Sequence, residues 1–306
     1  MLGFVSTPES ATGLKLAELD EPRPAPNEAL ISVHAASVNR GELRLLALRP
    51  NGWTPGQDVA DVVECAAADG SGPAVGARVA ALVDEAGWAE RVAAPTDRLA
   101  VLPDEVSFVT AVTLPVAGTT ALRTLRFGGN LAGQQILITG ASGAVGQFQI
   151  QIARRQGASV TAIAAARHAD DLHNLGAERI VESIELADGP FALIAESVGG
   201  ESLARAIERV APSGTVVMFG ASSGKLTPIG FRQFVPGHEG ARLQSFAYHA
   251  SVPDIGSDIA SLLALVMRGQ LETRIALTVT WRDVGQALDA LRQRSISGKA
   301  VLTMTE

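Results

Sequence analysis

The chain is poor in the side chains that several chemistries need. Among 306 residues there are one cysteine, one tyrosine and five histidines. A lone Cys65 makes no internal disulfide and no four-cysteine metal site, and it fits a reducing compartment. The only tyrosine, Tyr248, is followed four residues on by Val252, so a Tyr-x-x-x-Lys acid–base pair is absent. Basic residues are outnumbered, 25 Lys and Arg against 32 Asp and Glu, for a formal charge of −7. That balance speaks against nucleic acid or an anionic membrane as the main partner. No apolar run reaches the length of a membrane span. The opening MLGFVSTPES has neither the basic nor the apolar stretch of a secretory leader, and the cytoplasm is the expected location. No repeat or low-complexity tract is seen. What is plentiful is apolar material, 47% of the chain, enough for more than one core, and the length predicts two domains.

Two rhythms divide the chain. In the first hundred residues short β-like runs alternate with Pro and Gly: LISVHAASV (30–38), DVADVVECA (58–66), ARVAALV (77–83) and LAVLP (99–103). A helix is expected over 107–127, with Ser107 as its cap and Pro115 as an interruption. From 134 the pattern becomes strand–helix alternation. QQILIT, SVTAIA (159–164), ERIV (178–181), FALIAE (191–196), GTVVMFG (214–220) and ARLQSF (241–246) read as strands, with helices from Ala144 to near Gly157 and over about 200–210. Strands apolar on both faces indicate a parallel sheet covered by helices. The tail returns to mixed structure, with helices near 254–268 and 282–293 and strands near 274–280 and 299–304.

Between the first of those strands and its helix lies LITGASGAVGQ (137–147). Ala141-Ser142-Gly143-Ala144-Val145-Gly146 fits the dinucleotide fingerprint with alanine for its first glycine. A glycine loop opening a helix lets backbone N–H groups approach a pyrophosphate, and Gly146 allows close helix–strand packing. The second strand then ends Ala164-Ala165-Ala166-Arg167-His168, with no acid before Asp170 to hold a ribose 2′-hydroxyl. Arg167, helped by His168, suits a 2′-phosphate instead, which selects NADPH; the plainer alternative is a solvated arginine at a helix start.

Three patterns are decoys. GASSG (220–224) matches a nucleophile elbow, but Pro228 and Gly230 follow where a helix is required, and no histidine comes after His249 to complete the hydrolase order. His168 and His173, five apart, do not share a helix face. GHE (237–239) lies inside the nucleotide-binding pattern.

AASVNRGEL (35–43), PGQDVADVVE (55–64), VGARVAAL (75–82), GWAERVAAP (87–95), LPVAGTTAL (114–122), ITGASGAVG, NLGAERIV and SGKAVL occur in that order. In this order they resemble the medium-chain dehydrogenase/reductase superfamily, specifically its zinc-free NADPH:quinone reductase branch. The resemblance spans nearly the whole chain. It departs where Asp61 stands for a usual glycine, Ala165 for a frequent serine and His168 for a lysine.

The resemblance implies an α/β protein with a GroES-like, mostly-β catalytic domain (1–115 and 253–306) and a Rossmann doubly wound parallel sheet (116–252) that binds NADP. Its catalytic zinc positions fall near Ser37 and at Gln57-Asp58, with no thiolate–imidazole pair, so no metal is expected. It places Asn39 beside the nicotinamide and substrate, as the residue that polarises a carbonyl or simply orders its loop. It places Thr120 beside the nicotinamide ribose, and Gly143, Ala144 and Val145 in the pyrophosphate loop. Gly220, Ala221 and Ser222 line the nicotinamide side, Phe246 and Ala247 meet the carboxamide, and Lys299 completes the cofactor set; for Thr120 and Phe246 a core or cap role is the alternative. The expected activity is NADPH-dependent, zinc-independent reduction of quinones or activated enones by a cytoplasmic homodimer. The alternatives are an NADPH-binding sensor or scaffold without turnover, and an enoyl-thioester reductase.

Overall fold

The structure, a computed structural model, describes residues 1–248 and 254–304. Among the described residues the chain runs β1 (Leu2–Ser6), β2 (Leu14–Glu18), β3 (Glu28–Ser32), β4 (Ala35–Val38), α1 (Arg40–Leu48), β5 (Asp58–Cys65), β6 (Arg78–Leu82), β7 (Arg91–Pro95) and β8 (Leu99–Val101). Then follow α2 (Phe108–Ala111), α3 (Pro115–Arg126), β9 (Gln135–Ile138), α4 (Ala144–Arg155), β10 (Ser159–Ile163), α5 (Ala169–Leu175), β11 (Arg179–Val181), β12 (Phe191–Glu196), α6 (Glu201–Ile207), β13 (Val210–Met218) and β14 (Arg242–Ser245). The tail supplies α7 (Ile255–Met267), β15 (Ile275–Thr280), α8 (Val284–Arg292) and β16 (Lys299–Thr303). The chain divides into two compact units, Met1–Thr119 with Val252–Glu306, and Thr120–Ser251. The sequence boundary expected at 252/253 lies outside the described residues.

In the first unit one sheet runs β15-β16-β4-β5-β3-β7, with β6 and β8 continuing from β5. The tail strand β16 lies beside β4, so the far end of the chain completes the N-terminal fold. The core beneath is built from alternate strand residues such as Ile31, Val59 and Val79, with Trp88 fully buried among them. The run expected as one strand over 30–38 is two. The chain breaks at Val33-His34, and β3 and β4 pair with different stretches of β5. The expected helix over 107–127 is interrupted as its sequence predicts. Ser107 Oγ accepts the Thr110 N–H, α2 is a single turn, and Pro115 starts α3 where its missing N–H costs nothing.

In the second unit the sheet order is β11-β10-β9-β12-β13-β14, and every pairing is parallel. Counted from β9, this is the 3-2-1-4-5-6 order of a doubly wound nucleotide-binding sheet. Its central strands are buried on both faces: Ile136, Leu137 and Ile138 of β9 and Leu193, Ile194 and Ala195 of β12 are all within 1% of full burial. Because the strands are parallel, their C-terminal ends share one edge of the sheet, with the order reversing between β9 and β12. Among the described residues no helix is long and apolar enough to cross a membrane.

Candidate functional site

In the nucleotide-binding unit the glycine loop leaves β9 and enters α4. Gly143 is the N-cap of that helix, in extended conformation, with no side-chain cap bond. The first-turn N–H groups behind it have no intrahelical acceptor, which is the arrangement that receives a pyrophosphate. Gly146 is required by contact: a Cβ there would stand 2.6 Å from Ala141 Cα and 2.8 Å from its carbonyl oxygen. Gln147 Nε2 ties the loop by donating to Ser142 O at 3.0 Å.

Arg167 and His168 occupy the short 3-10 turn after β10. Arg167 is exposed, and His168 is half-buried as the N-cap of α5. One neighbour was not anticipated. Glu182, just past β11, accepts the Ala166 N–H at 3.1 Å, so a carboxylate stands one residue from the arginine meant for a phosphate. Gly220, Ala221 and Ser222 form an exposed loop after β13, and no helix follows them, as the decoy reading of this stretch requires. Phe246 and Ala247 follow β14; the Phe246 N–H is spent on Met218 O at 2.7 Å. Thr120 is buried within α3.

The loops are held by a second unanticipated residue. Glu196, at the end of β12, is fully buried. Its carboxylate accepts the N–H groups of Val198 (3.1 Å) and Gly199 (2.9 Å), and the hydroxyls of Ser202 (2.9 Å) and Thr139 (3.3 Å). The switch point between β9 and β12 is thus tied together by one acid.

In the mostly-β unit Asn39 and Lys299 come together through sheet register. β4 is antiparallel to both β5 and β16, with Ser37 opposite Asp58 and Val38 opposite Ala300. The end of β4 therefore meets the starts of β5 and β16. Lys299 Nζ donates to Asp58 Oδ2 at 3.0 Å and to Asn39 Oδ1 at 2.8 Å. Asn39 Nδ2 donates to Asp58 Oδ2 at 2.9 Å, as does the Ser37 hydroxyl, and Val116 N–H donates to Oδ1 at 2.7 Å. Asp58 and Lys299 are 0% and 2% exposed. Gly298 positions the lysine: its φ is +111°, and a Cβ would lie 2.4 Å from Arg274 O.

Glu42 completes the cluster. It is fully buried in α1, its Oε2 accepts the Asn39 N–H at 2.7 Å, and its Oε1 has no hydrogen-bond partner among the described residues. Burial, with the nearby Asp58 charge adding to it against the Asn39 N–H and the Lys299 ammonium, pushes its carboxyl up to about 8. Asn39…Glu42 is the spacing of a capping box, a signal in the sequence that would have revealed α1. Asp58 was legible only as a position; its partner lies 241 residues away.

The residues at the zinc-branch positions do not fit that metal. Ser37 offers an alcohol already given to Asp58, and Asp58 accepts four donors, one of them an ammonium. Among the described residues no cluster of three or more His, Cys, Asp or Glu is placed to hold a metal ion. A nicotinamide dinucleotide does fit, on the uncapped N-terminus of α4 and the close approach at Gly146.

These two units define a pyridine-nucleotide-type α/β fold with a mostly-β companion. Residues 144–264 match the family described as zinc-binding dehydrogenase (ADH_zinc_N). The chain is 33% identical over 297 residues to the spectinabilin polyketide synthase system protein NorB of Streptomyces orinoci, covering 92% of this chain and 13% of that protein. It is 33% identical over 192 residues to the chloroplast envelope quinone oxidoreductase homolog of Arabidopsis thaliana, covering 56% of this chain and 57% of that one. It thus spans little more than half of that homologue and a small part of NorB. A mycobacterial protein solved in complex with NADPH superposes with a TM-score of 0.88 at 22% identity over 99% of both chains. The chain is thus similar to dehydrogenases and quinone oxidoreductases of the medium-chain dehydrogenase/reductase superfamily.

Proposed function

We propose that this protein is an NADPH-dependent, zinc-independent reductase of quinones or activated enones. The observation that carries the reading is the uncapped α4 N-terminus at the reversal of a 3-2-1-4-5-6 parallel sheet, in a chain similar to quinone oxidoreductases. In this reading Gly143, Ala144 and Val145 receive the pyrophosphate and Arg167, with His168, the 2′-phosphate. Thr120, Gly220, Ala221, Ser222, Phe246 and Ala247 line the ribose and nicotinamide, and Lys299 reaches the cofactor only through the one N–H its two bonds leave over. When bound, the nicotinamide supplies a hydride to an electrophilic carbon of the acceptor; solvent supplies the proton. Asn39 polarises the acceptor's carbonyl oxygen by hydrogen bonding, and no residue of the chain is asked for acid–base work. NADPH of the solved mycobacterial complex and the quinone substrates in the relatives' names support the same choice.

A second reading, reduction of a carrier-bound enoyl thioester, is favoured by the resemblance to a polyketide synthase protein over 92% of the chain. The acidic total charge of −7 speaks against docking an acidic carrier. The third, an NADPH sensor without turnover, has binding but no acceptor. Assembly as a homodimer in the cytoplasm belongs to the proposal. β14 is an edge strand, and Leu243, Phe231 and Leu226 of the same unit are exposed, which is a hazard for a lone sheet edge. NADPH oxidation measured against 1,4-benzoquinone, 9,10-phenanthrenequinone, a simple enone and a crotonyl thioester separates the readings. Loss of NADPH with the quinones first supports the proposal, thioester alone supports the second, and saturable binding without loss supports the third.

A further inference from the structure

Of the two N–H groups of the Asn39 side chain, one is accounted for by its buried neighbours. An ammonium can only donate and a carboxylate can only accept. Lys299 Nζ is 2.8 Å from one end of the Asn39 amide and Asp58 Oδ2 is 2.9 Å from the other. The orientation is therefore fixed by chemistry: the carbonyl oxygen faces the lysine and the amino group faces the aspartate. The amino group has two hydrogens, and Asp58 takes one.

Asn39 gives up another role to stand there. It is the N-cap of α1, a position where an asparagine normally accepts a first-turn N–H. Here the Glu42 N–H goes to the Asn39 backbone carbonyl at 3.1 Å, and the side chain makes no cap bond. Glu42 holds the backbone from the other side by accepting the Asn39 N–H. Asp58 and Lys299 are buried while Asn39 is half-buried, so its leftover N–H belongs to the most accessible member of the cluster.

We propose that Asp58 and Lys299 are positioning residues that fix the Asn39 amide with its carbonyl turned away and one N–H free, and that this N–H is the donor offered to the carbonyl oxygen of the acceptor. The inference rests on the reductase reading. As hydride reaches the acceptor carbon, negative charge grows on its oxygen, and a donor already fixed in place stabilises that charge without reorganising. A carbonyl in the same place would repel it. Asp58 and Lys299 take part in no bond making; their effect on the reaction passes through Asn39.

Asp58→Asn is the sharpest test because it changes no shape. The Val116 N–H must still be accepted by the side-chain oxygen, so the new amino group faces Asn39 Nδ2 and Lys299, both donors, and the Asn39 amino group loses the acceptor that holds it. Two readouts apply to full-length protein. In asparagine-labelled protein, the Asn39 side-chain amide, assigned by its loss in Asn39→Asp, shows one proton shifted downfield by the carboxylate, and Asp58→Asn abolishes that shift. With 1,4-benzoquinone, Asp58→Asn lowers kcat ten- to a hundredfold while KM for the quinone and Kd for NADPH stay within about twofold. Lys299→Gln keeps a donor beside Asn39 Oδ1, so it retains the downfield proton and loses less kcat than Asp58→Asn; it also carries the test if Asp58→Asn does not fold. The proposal is overturned if the Asn39 amide signals are the same in Asp58→Asn, or if Lys299→Gln loses the shifted proton. It is equally overturned if kcat per folded molecule is unchanged while only stability falls. The amide signals need no turnover, so a wild type that reduces no quinone or enone sinks the reductase reading without touching the orientation itself.

Discussion

Two fully buried carboxylates, one in each unit, do opposite work. Glu196 accepts two backbone N–H groups and two hydroxyls, and so shapes a loop at the switch point of the parallel sheet. Asp58 accepts one backbone N–H and three side-chain donors, and so orients side chains, above all Asn39. The first is an architectural acid, satisfied by neutral donors. The second sits beside a buried ammonium, and its removal strands that charge. The same residue class thus shapes a loop in one unit and orients side chains in the other, according to what surrounds it.

The comparison breaks most visibly on removing Asp58. Asp58→Ala leaves the Lys299 ammonium buried without its carboxylate, and should destabilise the protein by about 3–5 kcal/mol in urea unfolding. If the loss is no larger than for an ordinary surface substitution, the pair is not an ion pair in the folded state.

Next in size is the pH response of Glu42. Its carboxyl holds a proton up to about 8 when folded, against the usual 4.5 for a glutamic acid. Folding therefore favours the protonated form. The stability this contributes is complete below about pH 4.5 and is lost as pH rises through about 8. Unfolding measured from pH 5 to pH 9 should show that decline in the wild type and a flatter profile in Glu42→Gln. Parallel profiles would place the proton elsewhere.

Glu196→Gln should cost about 2 kcal/mol, because an amide cannot accept from all four donors. It should weaken NADPH binding and lower kcat at saturating NADPH by less than Asp58→Asn does. The reverse pattern would erase the distinction between the two acids. Smaller still are the effects at the proposed 2′-phosphate position. Arg167→Ala should weaken NADPH about tenfold more than NADH. Glu182→Gln should strengthen NADPH over NADH by a few fold, since a carboxylate on the Ala166 N–H repels a phosphate. Equal changes for both cofactors would remove Arg167 and Glu182 from that contact.

The legible parts of the molecule were those governed by local rules. Strands β9 and β12 announce burial on both faces by unbroken aliphatic runs. Ser107 and Pro115 mark helix boundaries by a cap and a missing N–H, and Gly146 marks a close approach. The illegible parts depend on register. Nothing near Lys299 in the sequence points to Asp58, and the contact exists because β16 and β5 both flank β4. The helix α1 was hidden for a different reason. Asn39 and Glu42 carried the spacing of a cap, but a strand ends directly before them and Gly41 sits between. Glu182 escaped notice because it comes from the neighbouring strand, where the acid of a ribose site was sought only on the second.

In the proposed reaction a hydride passes from NADPH to a quinone or enone on this protein without a metal. The direct measurement is NADPH consumption with 1,4-benzoquinone by chelator-treated wild-type protein, alongside Asn39→Ala. The wild type should consume NADPH equally before and after chelation, and Asn39→Ala should lower kcat with NADPH affinity largely kept. Saturable NADPH binding with no consumption by any quinone or enone, or activity lost with a stoichiometric zinc, would contradict it.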